Sequence, residues 1–201
     1  MSHYEDLSPC RYFSHFDPLA ERLKAVGWLA SGHSYRRGVV PSEDFHQLLK
    51  LLEEPWQPCF LMGYHECEFC PRRPLEVTPE ERAKGERITR WRTPSGVEIV
   101  QIRTPETEAF DQRHRLERDG LAVRFGAANL FLPADGFIYV APSMIAHYID
   151  AHGYDPPSCF WEAVRNCPEM RTPDFRQAMS ANGPSSKSWQ RAVNWEEKPE
   201  S

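Results

Sequence analysis

The stretch "GYHECEFCP", residues 63–71, sets His65, Cys67 and Cys70 within six positions. A Cys-x-x-Cys turn holds two thiolates about 4 Å apart, as tetrahedral zinc requires when Zn–S is about 2.3 Å. Gly63 before the motif and Pro71 after it suit the sharp backbone turn of a zinc knuckle. Two further ligands are needed. The segment "AHYIDAH" offers His147 and His152, a His-x4-His pair of the kind zinc-finger helices use. Five residues of ideal helix turn through about 500°, so both imidazoles reach one ion only where the helix loosens. Gly153 marks such an end. The expected site is therefore Cys67, Cys70, His147 and His152 around a structural Zn2+, with His65 in reserve should only one of the helix pair bind.

Other chemistries fit the same residues less well. Thioredoxin-like redox work places Cys-x-x-Cys at the start of a helix, whereas here Pro71 follows the second cysteine. A Cys–His nucleophile would need an oxyanion-hole signature, and none is present. Two metal-free buried thiols remain the plain alternative. The His-Glu-x-x-His protease motif and the His-x-Glu with Pro-Cys-x-x-Cys deaminase motif are both absent. Glu66 and Glu68 read as exposed acids of the knuckle loop rather than as a general base. Four protein ligands saturate a structural site, while catalysis needs an open position.

Composition narrows the setting. The chain has 201 residues, 40% of them hydrophobic and 12% aromatic, enough to bury a core. Its 18 prolines call for short elements and frequent connections. Net charge is −5, unevenly spread: residues 71–118 carry 11 basic and 9 acidic side chains, the rest 13 and 20. An acidic body argues against nucleic acid and suits a protein partner, in particular a basic one. No run of 18 apolar residues and no basic leader with an apolar core is seen, so a cytoplasmic protein that neither enters nor spans a membrane is expected. Six cysteines in such a compartment should be reduced, with Cys10, Cys59, Cys159 and Cys167 acting as small hydrophobes.

The elements that must position the site follow from patterning. "FDPLAERLKAVGWL" reads as a first helix, capped by Asp17 and ended by Gly27, and "SEDFHQLLKLLEEP" as a second, capped by Ser42. "CFLMGY" reads as a strand leading into the knuckle. Residues 71–119 read as a charged insertion, with strands at "RITRWR" and "VEIVQIR" and then a mobile loop or short helix. "LAVRFG", "NLFL" and "FIYVA" predict an antiparallel meander. Three helices are expected after it, at "APSMIAHYIDAHG", "PPSCFWEAVRNCP" and "TPDFRQAMSANG". The whole reads as one α+β domain over residues 1–182, a small antiparallel sheet flanked by helices, with a polar and loose tail at 183–201 whose Trp189 and Trp195 have the option of docking on the body.

"HYEDLSPCRYF", "VGWL", "GYHECEFC" and "GFIYVAPSMIAHYIDAHGYDPPSCFWEAV" together resemble a widespread family of small bacterial proteins of unknown function. The likeness covers roughly residues 3–70 and 120–168. It implies a shared scaffold in which the knuckle and the "HYIDAHGYDPP" block form one unit, and it supplies no reaction. Two functions are then expected to compete. One is a zinc-stabilised interaction module of immunity or adaptor type, with Trp56, Trp91, Trp189 and Trp195 as candidate anchors. The other is a metal-dependent, hydrolase-like enzyme, with His33, His46 and His114 as spare histidines.

Overall fold

The apolar run "FIYVAP" has no polar alternation, and a strand of that kind must be covered on both faces. In a computed structural model that describes residues 2–59, 64–71, 76–92 and 98–194, without the side chains of 91, 92, 98, 99 and 101, this run is strand β7 (Phe137–Pro142). It is the centre of a three-stranded sheet. On one side it pairs antiparallel with β6 (Asn129–Ala134), Phe131 opposite Val140. On the other it pairs parallel with β1 (Leu23–Ala25), Ala25 opposite Val140.

Alternate residues of these strands feed two cores. Leu130, Leu132, Tyr139 and Ala141 face one, together with α1 (Ser42–Glu53), α4 (Ile145–His152) and α5 (Ser158–Asn166). Phe131, Ile138, Val140, Leu23 and Ala25 face the other, with α6 (Pro173–Asn182) and α7 (Lys187–Val193). The chain is α+β, as expected. By contact it divides into two compact units, Met1–Cys70 with Leu116–Ser201, and Pro71–Arg115.

Five local expectations are corrected. The segment read as a first helix is a 3-10 turn (Arg11–Phe13), a loop and β1. Asp17 does not cap a helix. Its carboxylate accepts from the backbone N–H groups of Arg22 and Leu23 at 2.8 and 2.9 Å, which closes the loop and delivers Leu23 to the sheet. Sheet pairing and burial of Leu23 and Ala25 outweigh a helical spacing whose Leu19 is 76% exposed. Ser42 begins α1 but makes no side-chain cap, Pro41 preceding it. The meander is not formed either: β5 (Leu121–Arg124) pairs with β4 (Arg115–Arg118), and the third place beside β7 goes to β1. Leu116, on a strand of otherwise charged residues, packs on the first core, so the main unit resumes before residue 119. The segment "CFLMGY" lies largely outside the described residues.

The fifth correction concerns the tail. Residues 183–194 are not loose: Ser186 caps α7 by accepting from the Trp189 N–H, and Trp189 and Val193 are buried. The Trp189 indole N–H donates to Met179 O at 3.1 Å, and its ring meets Phe16, Trp56 and Phe131. A polar sequence hid one apolar stripe of a two-turn helix. Trp189 is thus core rather than an exposed anchor, Trp56 is half-buried, and Trp195 lies outside the described residues.

The second unit, taken by itself, contains α2 (Pro79–Ala83), the antiparallel hairpin β2 (Arg87–Arg92) and β3 (Glu98–Arg103), and α3 (Pro105–Arg113). Thr104 caps α3, and the Arg87–Glu108 and Arg103–Asp111 pairs tie that helix to one face of the hairpin. Across the strands Ile88 stands opposite Ile102 and Arg90 opposite Val100. Ile88, Val100 and Ile102 are about half exposed, at 54%, 47% and 53%.

Truncating Trp189 tests the assignment of the C-terminal helix to the core. Trp189→Ala is expected to cost about 3–5 kcal/mol, seen as a melting temperature lower by roughly 6 °C or more in a protein of this size. A variant that melts with wild type would return residues 183–194 to a tail.

Candidate metal centre

Helix α4 follows β7 after two residues, so the sheet sets where its side chains stand. Gly153 ends it in a left-handed conformation (φ 63°, ψ 29°), its N–H returning to Ile149 O. His147 is the helix's third residue and His152 its last. Despite the unfavourable angular step, the two Nε2 atoms lie 3.3 Å apart. The helix does not need to unwind before His152; its ending there is enough.

Cys67 and Cys70 arrive from the opposite direction on the knuckle. Cys67 Sγ lies 3.2 Å from His152 Nε2, and Cys70 Sγ lies 3.3 Å from His147 Nε2 and 3.4 Å from His152 Nε2. The four donor atoms all fall within 4.8 Å of one another. His152 Nε2 therefore has three polar neighbours at close range, yet it carries at most one proton. Hydrogen bonds alone cannot satisfy such a group, whereas a single cation at its centre can. Among the described residues this is the one His/Cys/Asp/Glu group with metal-binding spacing.

Electrostatics point the same way. Burial pushes the Cys67 thiol up to about 11, opposed by the backbone N–H groups of Phe69 and Cys70, with the Cys70 sulfur raising it further. Burial also lowers the His152 imidazole, helped by the Arg37 guanidinium. Without a cation these groups stay neutral at pH 7. A bound cation reverses the preference of the thiols and deprotonates them. The two N–H groups aimed at Cys67 Sγ are then donors to a thiolate.

The knuckle is held in place by the same helix that carries the histidines. Ser143, fully buried just ahead of α4, accepts through Oγ from the N–H groups of Gly126 and Ala128 at 3.0 and 3.3 Å. Gly126 O in turn accepts from His65 N–H at 2.9 Å. Gly126 has φ +94°, and a Cβ there would stand 2.5 Å from His65 O, so only glycine lets these backbones meet. Rings close the surroundings: Phe125 stacks on His147 at 4.8 Å, and Phe69 packs against His152 and Tyr148.

All four predicted ligands are brought together, and His65 is not among them; its role is the backbone bond to Gly126. His33, His46 and His114 are likewise absent from the group. Glu68 is exposed, as expected of the knuckle loop, and accepts from the N–H and hydroxyl of Ser31, both at 2.9 Å. The carboxylates nearest the histidines in sequence are also engaged, Asp150 with Arg118 and Asp155 with Arg36. Ser143 and Gly126 were missed as positioning residues. A Pro-Ser pair before a helix signals a cap, and nothing in sequence says that the hydroxyl instead holds a loop some 15 residues upstream.

With the geometry described, the chain can be compared with known proteins. The family model for the domain of unknown function DUF7919 matches residues 2–165. The chain belongs to this family. No curated protein and no solved structure matches it significantly. The DUF7919 segment contains all four ligands, Ser143 and Gly126, while α6 and α7 lie beyond it. Among the described residues no helix is long and apolar enough to cross a membrane.

Gly126→Ala tests the clamp without touching a ligand. It is expected to lower metal affinity at least about tenfold, because both the positive φ and the contact with His65 O must give way. Equilibrium competition with a chromogenic chelator measures this. Unchanged affinity would show that the knuckle does not depend on the Gly126 contact.

Proposed function

We propose that Cys67, Cys70, His147 and His152 hold one structural zinc ion, and that the protein is a zinc-stabilised, cytoplasmic protein-interaction module of the immunity or adaptor kind. The observation that carries this reading is the complete set of four protein donors. A tetrahedral zinc with about 2.3 Å to sulfur and about 2.05 Å to nitrogen separates N from N by about 3.3 Å and S from N by about 3.5 Å. The N–N spacing here is 3.3 Å, three of the S–N spacings are 3.2–3.4 Å, and all four donors lie within 4.8 Å of one another. Two thiolates and two imidazoles suit zinc over magnesium or calcium, which prefer oxygen. Two thiolates also neutralise its charge.

The ion would tie Cys70 to His147 across 77 residues, closing a long loop in the folded chain. With four protein donors present, a metal-dependent hydrolase would lack an open coordination position. The exposed Ile88, Val100 and Ile102 support an interaction role, since an apolar face on a small hairpin is a surface that proteins cover. Outside residues 71–118 the chain carries 13 basic and 20 acidic side chains, which favours a basic partner.

Purified protein is expected to contain one equivalent of zinc, and Cys67→Ser much less, with a lower melting temperature. Cobalt exchanged into the site should give the intense visible bands of a tetrahedral S2N2 centre, unchanged by added azide. A spectrum that shifts with azide would reveal an open position and favour the hydrolase.

Acid should release the ion. His152 has a lowered pKa in the metal-free fold, so the unfolded chain takes up its proton first, and stability falls as pH drops through about 6.5. Protons also compete with zinc for both imidazoles and both thiolates, which adds to the same sign. A zinc-responsive dye together with melting curves between about pH 7.5 and pH 5 should show release and destabilisation in step. A pH-independent melting temperature over that range would contradict a structural role.

A further inference from the structure

Away from the metal centre, on the side of the second core, the main unit has an open cleft of about 740 Å³. That volume lies in the range of small-molecule sites. Its aromatic part is Phe16 and Trp56, and its charged part is Arg171, Arg176 and Arg191. Among the described residues no acidic side chain lines it, in a chain whose net charge is −5. Like charges gathered around one cavity repel unless something neutralises them. Arg171 has a partial remedy at the rim, Glu54, which is 3.4 Å away and 80% exposed. Among the described residues, Arg176 and Arg191 have no acidic partner.

The two parts of the cleft come from different stretches of chain. Phe16 and Trp56 lie within the DUF7919 segment, while the three arginines stand after it, on or next to α6 and α7. Trp56 is firmly placed. Its backbone N–H donates to Met170 Sδ at 3.3 Å, and its ring is wedged edge-on among Phe131, Phe175 and Trp189. Arg176 and Arg191 stand on helices anchored by the buried Phe175 and Trp189, so the core sets the backbone from which their side chains reach the cleft.

We propose that this cleft binds a small molecule that carries an aromatic ring and a phosphate group. The ring would lie against the Phe16 and Trp56 side, and the phosphate would take the guanidinium forks of Arg176 and Arg191, with Arg171 at the rim. Two arginines with no acidic partner among the described residues match a dianion better than a single carboxylate, because each fork can donate two parallel hydrogen bonds to phosphate oxygens. The site needs no metal and is independent of the zinc reading.

The test uses the full chain, metal-loaded as purified, titrated with phenyl phosphate and followed by tryptophan fluorescence. Saturable binding with a dissociation constant of about 1 mM or tighter is expected. Benzoate, inorganic phosphate and phenol should each bind about tenfold more weakly or worse, since each lacks part of the match. Arg176→Gln and the exposed Arg191→Glu should each weaken phenyl phosphate by about tenfold or more with an unchanged melting temperature. The proposal is overturned if phenyl phosphate does not saturate, if phenol binds equally well, or if Arg191→Glu binds like wild type. It is also overturned if a glutamate-rich peptide binds at the three arginines and phenyl phosphate does not displace it, because the occupant is then a protein segment.

Discussion

Strand β7 is buried along almost its whole length, so its backbone N–H and C=O groups must be satisfied inside the protein. That requirement accounts for much of the rest. It recruits β6 on one edge through a tight turn, and on the other edge a short N-terminal strand from more than 100 residues away in sequence. Ile138 N–H donates to Arg22 O, and Val140 O accepts both from Val26 N–H and from the Trp28 indole N–H. Val140 and Phe131 then face one core while Tyr139 and Leu132 face the other. A three-stranded sheet thus separates two hydrophobic layers, each of which needs its own helices.

The Cys2His2 cluster inherits its geometry from this strand. Because β7 passes almost directly into α4, the positions of His147 and His152 are set by sheet pairing rather than by a loop. The hydroxyl of Ser143, at the junction, holds the turn between β5 and β6, and that turn holds the knuckle by a backbone bond at His65. Ligands 77 to 85 residues apart in sequence are therefore brought together by a chain of short contacts, in which a buried serine and one glycine are as necessary as the donors. A cation bound there reports on the whole arrangement, which is why a structural ion would have large leverage on stability.

The second core shows how a C-terminal addition can be integrated. Trp189 and Val193 fill space beneath Phe16 and Phe131, and the indole N–H finds Met179 O, so little polar surface is stranded. Helices fixed in this way carry arginines out over Trp56, creating a basic recess on an acidic protein. This recess and the exposed apolar residues of the hairpin in the other unit differ in chemistry. They are supported by different stretches of sequence.

Sequence by itself determined the four Cys and His residues that come together, the α+β class, and the helices at 42–53, 145–152, 158–166 and 173–182. Their signals are local: a Cys-x-x-Cys turn, paired histidines, apolar spacing, and Pro or Gly at the ends. The hairpin at Arg87–Arg103 was legible for the same reason, through its β-branched run and turn residues. Only tertiary structure decided that Leu23–Ala25 is a strand, since a three-residue parallel pairing has no local signature and competes with a plausible helical pattern. It also decided that a polar C-terminal segment buries a tryptophan, that Ser143 faces a loop rather than capping a helix, and that His65 contributes its backbone instead of its ring. In each of these cases the deciding partner is distant in sequence, and burial against that partner outweighs the local preference of the residues.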